Sequence, residues 1–179
     1  MSILKFVKGT KRPIYKMYGY ICDPNKTDYE HVFGIGVNPQ TAAVEMEYVN
    51  NIYFYKNPLR QYKQIVFAFD ENIAEAVDLQ TITEICIRIG YILLHGDSRQ
   101  LLGGIHYKNI KPKFEITLDD KIHCHYMLNM IGIDGSLYRQ EASIYYYIIL
   151  VNELLGEYGL SPIPIFTKED DYYADDESN

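Results

Sequence analysis

The chain has 179 residues, enough for one domain with a real core, and its three cysteines (Cys22, Cys86, Cys124) lack C-x-x-C spacing. That excludes a zinc finger and reads as reduced, hence cytoplasmic. The net charge is −7, but six acids stand against one base from Lys168 onward, so the body is close to neutral. This argues mildly against a dedicated nucleic-acid binder. No apolar run reaches membrane-spanning length, and the lysine-broken N-terminus does not read as a signal peptide, so no membrane partner is expected.

In chain order, Ile14–Ile21 alternates enough to predict a strand, ended by the turn-forming Asp23-Pro24-Asn25. A short strand is expected near His31–Ile35. Asn38-Pro39 then looks like a helix start, with Ala42, Met46, Val49 and Tyr53 on one stripe and Asn57-Pro58 as the stop. Tyr62–Phe69 is β-branched and aromatic, a buried strand. Asp70-Glu71-Asn72 opens a longer helix with the stripe Val77, Ile82, Ile85, Ile89 and Leu93, stopped at Gly96-Asp97. Leu101–Tyr107 reads as a strand, Phe114–Leu118 as an added one, and residues 121–130 as another. Residues 140–158 have strand composition in Tyr145–Ile149, but their length favours a helix along Ala142, Tyr146, Ile149, Glu153 and Leu154 that Gly159 ends. Residues 167–179 form an acidic tail of disordered composition behind a domain of residues 1–166. The class expected is α+β.

The sharpest feature is His123-Cys124-His125. Alternate strand residues share a face, so both imidazoles point one way, spaced to converge on one ion, while Ile122, Cys124 and Tyr126 face a core. Asn129 returns to the histidine face. The bland alternative is a pair of polar residues on a solvated strand face. His106 ends a strand that can lie beside this one, and three neutral imidazoles would make a facial metal site with open positions. His31 and His95 lack such company. Eighteen tyrosines without a tryptophan read first as compositional bias, so no tyrosine is singled out for being one.

These residues resemble the relaxase (mobilisation nuclease) domain of the HUH endonuclease superfamily, over residues 12–165. Tyr20-Ile21-Cys22-Asp23-Pro24-Asn25-Lys26-Thr27 is similar to the family's Tyr-Ile-x-x-Pro-x-Lys-Thr signature. Ala42–Met46 and the strand ending Phe67-Ala68-Phe69-Asp70 fall at the family's first helix and its Ser-Phe strand. His106 with His123-Cys124-His125-Tyr126-Met127-Leu128-Asn129 looks like its His … His-x-His-x-x-x-Asn block. Asp134-Gly135-Ser136-Leu137-Tyr138 and Tyr158-Gly159-Leu160-Ser161 look like its later segments.

The resemblance implies a central antiparallel five-stranded sheet flanked by helices. It also implies nicking and religation of single-stranded DNA at a transfer origin, through a 5′-phosphotyrosyl intermediate, in plasmid or transposon mobilisation. Tyr20 would be the nucleophile, with Tyr18 as a fallback on the same strand face. His106, His123 and His125 would hold a divalent metal (Mn²⁺ or Mg²⁺, with Zn²⁺ a further option). Asn129, Lys26 and Arg12 would support the site or contact DNA, and accessory mobilisation proteins would be partners. The chain departs from the pattern in four places. Lys63 and Gln64 stand where the family has a histidine, and Ala68 replaces its serine. The His106–His123 interval is longer by about one hairpin, so that another alignment puts Leu118 at the first-histidine position. The chain also lacks the longer C-terminal part of typical relaxases. A degenerate domain that binds DNA or a partner without cutting, and an HUH-type replication initiator, are the competing expectations.

Overall fold

A computed structural model describes residues 1–7, 12–53, 61–108, 121–139 and 142–165. The strand expected at Phe114–Leu118, the stop at Asn57-Pro58 and the acidic tail lie outside the described residues.

Among the described residues a five-stranded sheet has the order β1-β3-β5-β4-β2, with every neighbouring pair antiparallel. Its strands are β1 (Ile3–Phe6), β2 (Val32–Ile35), β3 (Tyr62–Ala68), β4 (Leu101–His106) and β5 (His123–Asn129). The α+β class and the central antiparallel sheet flanked by helices are therefore as expected. The histidine-bearing β5 is the middle strand, paired on both edges.

Strand alternation divides the core in two. On one face Ile65, Phe67, Leu101, Ile105, Cys124, Tyr126 and Leu128 pack against α4 (Leu79–Leu94) and α5 (Ile144–Glu157). The other face carries Tyr62, Leu102 and Met127 under α1 (Ile14–Ile21) and α2 (Ala42–Ile52), through Ile14, Met17, Ile21, Ala42 and Met46. The histidines of β5 belong to this second face. They are buried, not solvated.

Residues 14–21 are the main correction. They form α1, not a strand, because Ile14, Met17 and Ile21 are the buried positions, and a spacing of three and four is one helical stripe. The strand expected there is supplied by β1 at the N-terminus, on the outer edge of β3. The helix expected from Asp70 is broken. A single turn, α3 (Ile73–Ala76), ends at Val77, and Asp78 restarts the chain as the N-cap of α4, its carboxylate accepting the Thr81 N–H at 2.7 Å. The helix at α2 begins at Ala42, with Asn38–Thr41 a turn ahead of it. On α5 the buried face is Tyr147, Ile148, Val151, Leu154 and Leu155, whereas the expected stripe residues Tyr146 and Ile149 are exposed.

One glycine sets how closely α1 can approach the sheet. Gly104 pairs directly with His125, and a Cβ built on it would lie 2.5 Å from Ile21 Cγ2 and 3.0 Å from the Ile21 carbonyl oxygen. The bare backbone therefore seats the C-terminal turn of α1 beside His125. Gly104→Val is expected to push that turn off the sheet and destabilise the protein by about 2–3 kcal/mol, the usual cost of overpacking a filled core. A denaturant melt showing no loss would refute this account of the packing.

Candidate metal centre

The site grows from the register of β4 and β5. His106 stands directly opposite His123, so the two share a face, and His125 follows two residues on along the same face of β5. The potential ligand nitrogens of His106, His123 and His125 all lie within 4.8 Å of one another. Three donors on one ion at metal–nitrogen bonds of about 2.1 Å stand about 3.0–3.6 Å apart, so closure takes up to about 1–2 Å of approach between the ring nitrogens, within reach of side-chain rotation. These three buried histidines can hold a metal ion. His106 is thus brought to the other two. The alternative alignment through Leu118 falls outside the described residues.

Each ring is oriented by a separate contact. His123 Nδ1 lies 2.7 Å from the Lys121 carbonyl, which can only accept, so Nδ1 carries the proton and the lone pair is on Nε2. His106 Nε2 lies 3.3 Å from the Ile21 carbonyl at the end of α1, and in the tautomer that uses this contact Nδ1 is the donor to an ion. His125 Nδ1 lies 3.4 Å from the Gln64 side-chain amide; with that amide turned so that its oxygen accepts, His125 Nδ1 carries the proton and Nε2 keeps the lone pair for an ion. Its Nε2 is buried with no hydrogen-bond partner among the described residues. A buried polar atom left without a partner costs about 1–3 kcal/mol, a cost that an ion on that nitrogen would remove. Donor chemistry, spacing and this bare nitrogen together fit a metal.

Electrostatics keep the rings ready to ligate. Burial first, then the neighbouring His123, holds His106 down to about 4, and burial with His123 and His106 holds His125 down to about 2. Both are neutral at pH 7, the form a metal requires. The unfolded chain titrates near the ordinary value of about 6.5, so below it the unfolded state binds more protons than the folded one. The metal-free protein should therefore keep full stability above about pH 6.5 and lose it as pH falls toward 4. We expect a loss on the order of 2 kcal/mol per histidine by about pH 5, above the midpoints of ordinary carboxylates. Urea melts at the two pH values test this, and a flat profile between them would contradict the burial account.

Tyr20, half-buried near the end of α1, lies across the cluster. Its ring centroid is 5.2 Å from that of His106 and 5.0 Å from that of His125, edge-on to both. Lys26 Nζ sits 3.8 Å from the centre of the same ring. Tyr18 is not on the same face. Two helical positions turn the chain about 200°, and the Tyr18 hydroxyl donates to the Gln40 carbonyl at 3.1 Å. Burial, followed by the nearby Cys22, also pushes the Tyr18 phenol up, away from nucleophilic use.

Asn129 shares the histidine face but stands four residues beyond His125. It is fully buried, and its amide donates to Gln100 Oε1 at 3.0 Å and the Met46 carbonyl at 3.3 Å. These bonds fasten the end of β5 to α2 rather than to the imidazoles. Arg12 is exposed just before α1. Ala68 pairs with His123 and offers no side-chain oxygen. His31 is structural, its Nδ1 2.9 Å from Thr83 Oγ1, and His95 is the left-handed C-cap of α4. Sequence reading noted Gln64 only as a departure, and missed Gly104 and the Lys121 carbonyl. All three act through strand pairing or main-chain geometry, for which the chain carries no local signal.

Among the described residues no helix is long and apolar enough to cross a membrane. Compared with protein-family models and with curated proteins, the chain matches none.

Proposed function

We propose that the protein is a metal-dependent relaxase, nicking and religating single-stranded DNA at a transfer origin during plasmid or transposon mobilisation. The observation that carries this reading is the packing of one tyrosine ring, Tyr20, against two members of a buried three-histidine cluster. His106, His123 and His125 are the ligands, and the ion is Mn²⁺ or Mg²⁺ in use, with Zn²⁺ also suited to imidazole. When bound, it supplies Lewis-acid polarisation of a phosphate oxygen.

The residues of the chain do the rest. The Tyr20 oxygen attacks phosphorus, the new bond joins Tyr20 to the 5′ phosphate, and the bond to the 3′ oxygen breaks. The phenolic proton leaves to water, and the departing 3′ oxygen takes one up. Religation is the same displacement reversed, with the 3′ hydroxyl as nucleophile. The α1 turn over Gly104 holds Tyr20 in place. Arg12 and Lys26 supply positive charge for the strand, and accessory mobilisation proteins would bring the origin.

The test is capture of an SDS-stable adduct between the protein and a random-sequence library of single-stranded oligonucleotides, in Mn²⁺, Mg²⁺ and Zn²⁺ separately. A covalent band that nuclease trims to a tyrosyl-linked nucleotide is expected. Its absence with all three ions rejects nicking and leaves the second reading, binding without cutting. What favours that second reading is Ala68, which faces His123 without a hydroxyl. Salt-sensitive oligonucleotide binding without adduct is its signature.

A further inference from the structure

The segment between α1 and the 3₁₀ turn at Tyr29–His31 is strapped to the end of β4, immediately beyond His106. The Lys26 carbonyl accepts the N–H groups of Tyr107 at 3.0 Å and Lys108 at 3.1 Å, while the Lys26 N–H donates to the Asp23 carbonyl at 2.8 Å. Lys108 Nζ donates to the Pro24 carbonyl at 3.2 Å and pairs with Asp28 at 2.6 Å, and the Tyr107 hydroxyl also donates to Asp28. The backbone of Lys26 is therefore fixed relative to a metal-ligand strand. Its ammonium lies 3.8 Å from the centre of the Tyr20 ring, on a ring that itself packs against His106 and His125. Of the two acids nearest in sequence, Asp28 is taken up by Lys108 and Tyr107, and Asp23, whose charge Lys26 also feels, has its Oδ1 engaged by the Asn25 backbone and side-chain amides, both at 3.0 Å.

A cation held over the Tyr20 ring, beside the imidazoles of His106 and His125, has a definite electrostatic consequence. It opposes a divalent ion on those imidazoles, and it attracts any anion that arrives with the ion. We propose that Lys26 is a phosphate-binding residue that makes ion and phosphodiester binding mutually dependent, so that the centre fills firmly only when both are present. This rests on the relaxase reading for the identity of the anion. Reciprocity follows by linkage: whatever factor the phosphodiester adds to ion affinity, the ion adds to phosphodiester affinity.

The experiment measures Mn²⁺ affinity by electron paramagnetic resonance of the free ion, with and without dimethyl phosphate, in wild type, Lys26→Met and Lys26→Arg. Met keeps the packing on Tyr20 and removes the charge; Arg keeps the charge. Wild type should bind Mn²⁺ more tightly with dimethyl phosphate, by about 10-fold. Lys26→Met should bind Mn²⁺ alone several-fold more tightly than wild type and lose the response to dimethyl phosphate, and Lys26→Arg should behave as wild type. Wild-type affinity and response in Lys26→Met, or no Mn²⁺ binding by wild type, overturns the inference. The two readings fail separately. An intact response without any DNA adduct removes nicking and keeps the anion site, whereas wild-type adduct rates and response in Lys26→Met remove Lys26 and keep nicking.

Discussion

Tyr20→Phe is expected to abolish the covalent DNA adduct, lowering its rate by about 10³-fold or more, as loss of a nucleophile does elsewhere. The change deletes one oxygen and keeps the ring, so the edge contacts with His106 and His125 and the packing of Lys26 persist. Mn²⁺ affinity and melting temperature should therefore stay close to wild type. Tyr18→Phe is the matched control. It loses the hydrogen bond to the Gln40 carbonyl, worth about 1 kcal/mol of stability, and should leave the adduct rate nearly unchanged. Denaturing gels with labelled oligonucleotide read both. Full adduct yield from Tyr20→Phe would remove Tyr20 as nucleophile, and loss of adduct in Tyr18→Phe alone would transfer the role to its neighbour.

A second large effect concerns His125, where ligand quality and stability pull in opposite directions. His125→Leu should weaken metal binding by more than about 100-fold, since loss of even the groups that orient a ligand costs 10- to 100-fold. In the metal-free protein the same change should be stabilising. It replaces a buried imidazole whose Nε2 has no partner among the described residues with an apolar side chain, and the released Gln64 amide is only partly buried and can turn to water. A gain of about 1 kcal/mol, or roughly 3 °C, is expected. Excess metal should then raise the melting temperature of wild type above that of the variant. Melting curves with chelator and with Mn²⁺ check both halves. A variant less stable than wild type under chelator would mean that His125 serves the fold rather than an ion.

How far the sequence carried this reading varies by element. The H-x-H strand was legible because its period of two is explicit and its alternate positions, Cys124 and Tyr126, are apolar enough to demand a core. The third histidine was legible only as a candidate. Its place opposite His123 depends on how β4 and β5 register, and pairing partners far apart in sequence leave no local trace. Helix α1 reads as a strand because tyrosines at 15, 18 and 20, apolar enough to pass for strand positions, mask the Ile14–Met17–Ile21 stripe. Strand β1 was passed over because it is four residues long and carries a lysine. Tyr20 lies beside the histidines although its segment is a helix and not a strand, while Tyr18 points elsewhere.

The central position of β5 has a consequence for how the protein opens. Strands hydrogen-bonded on both edges give up their amide protons last, in step with global unfolding, whereas peripheral helices open at lower free energy. His123 and His125 therefore ride on the slowest-exchanging unit, and Tyr20 on a short helix at the margin. Hydrogen exchange should divide the centre into a rigid floor on β5 and a lighter cover on α1.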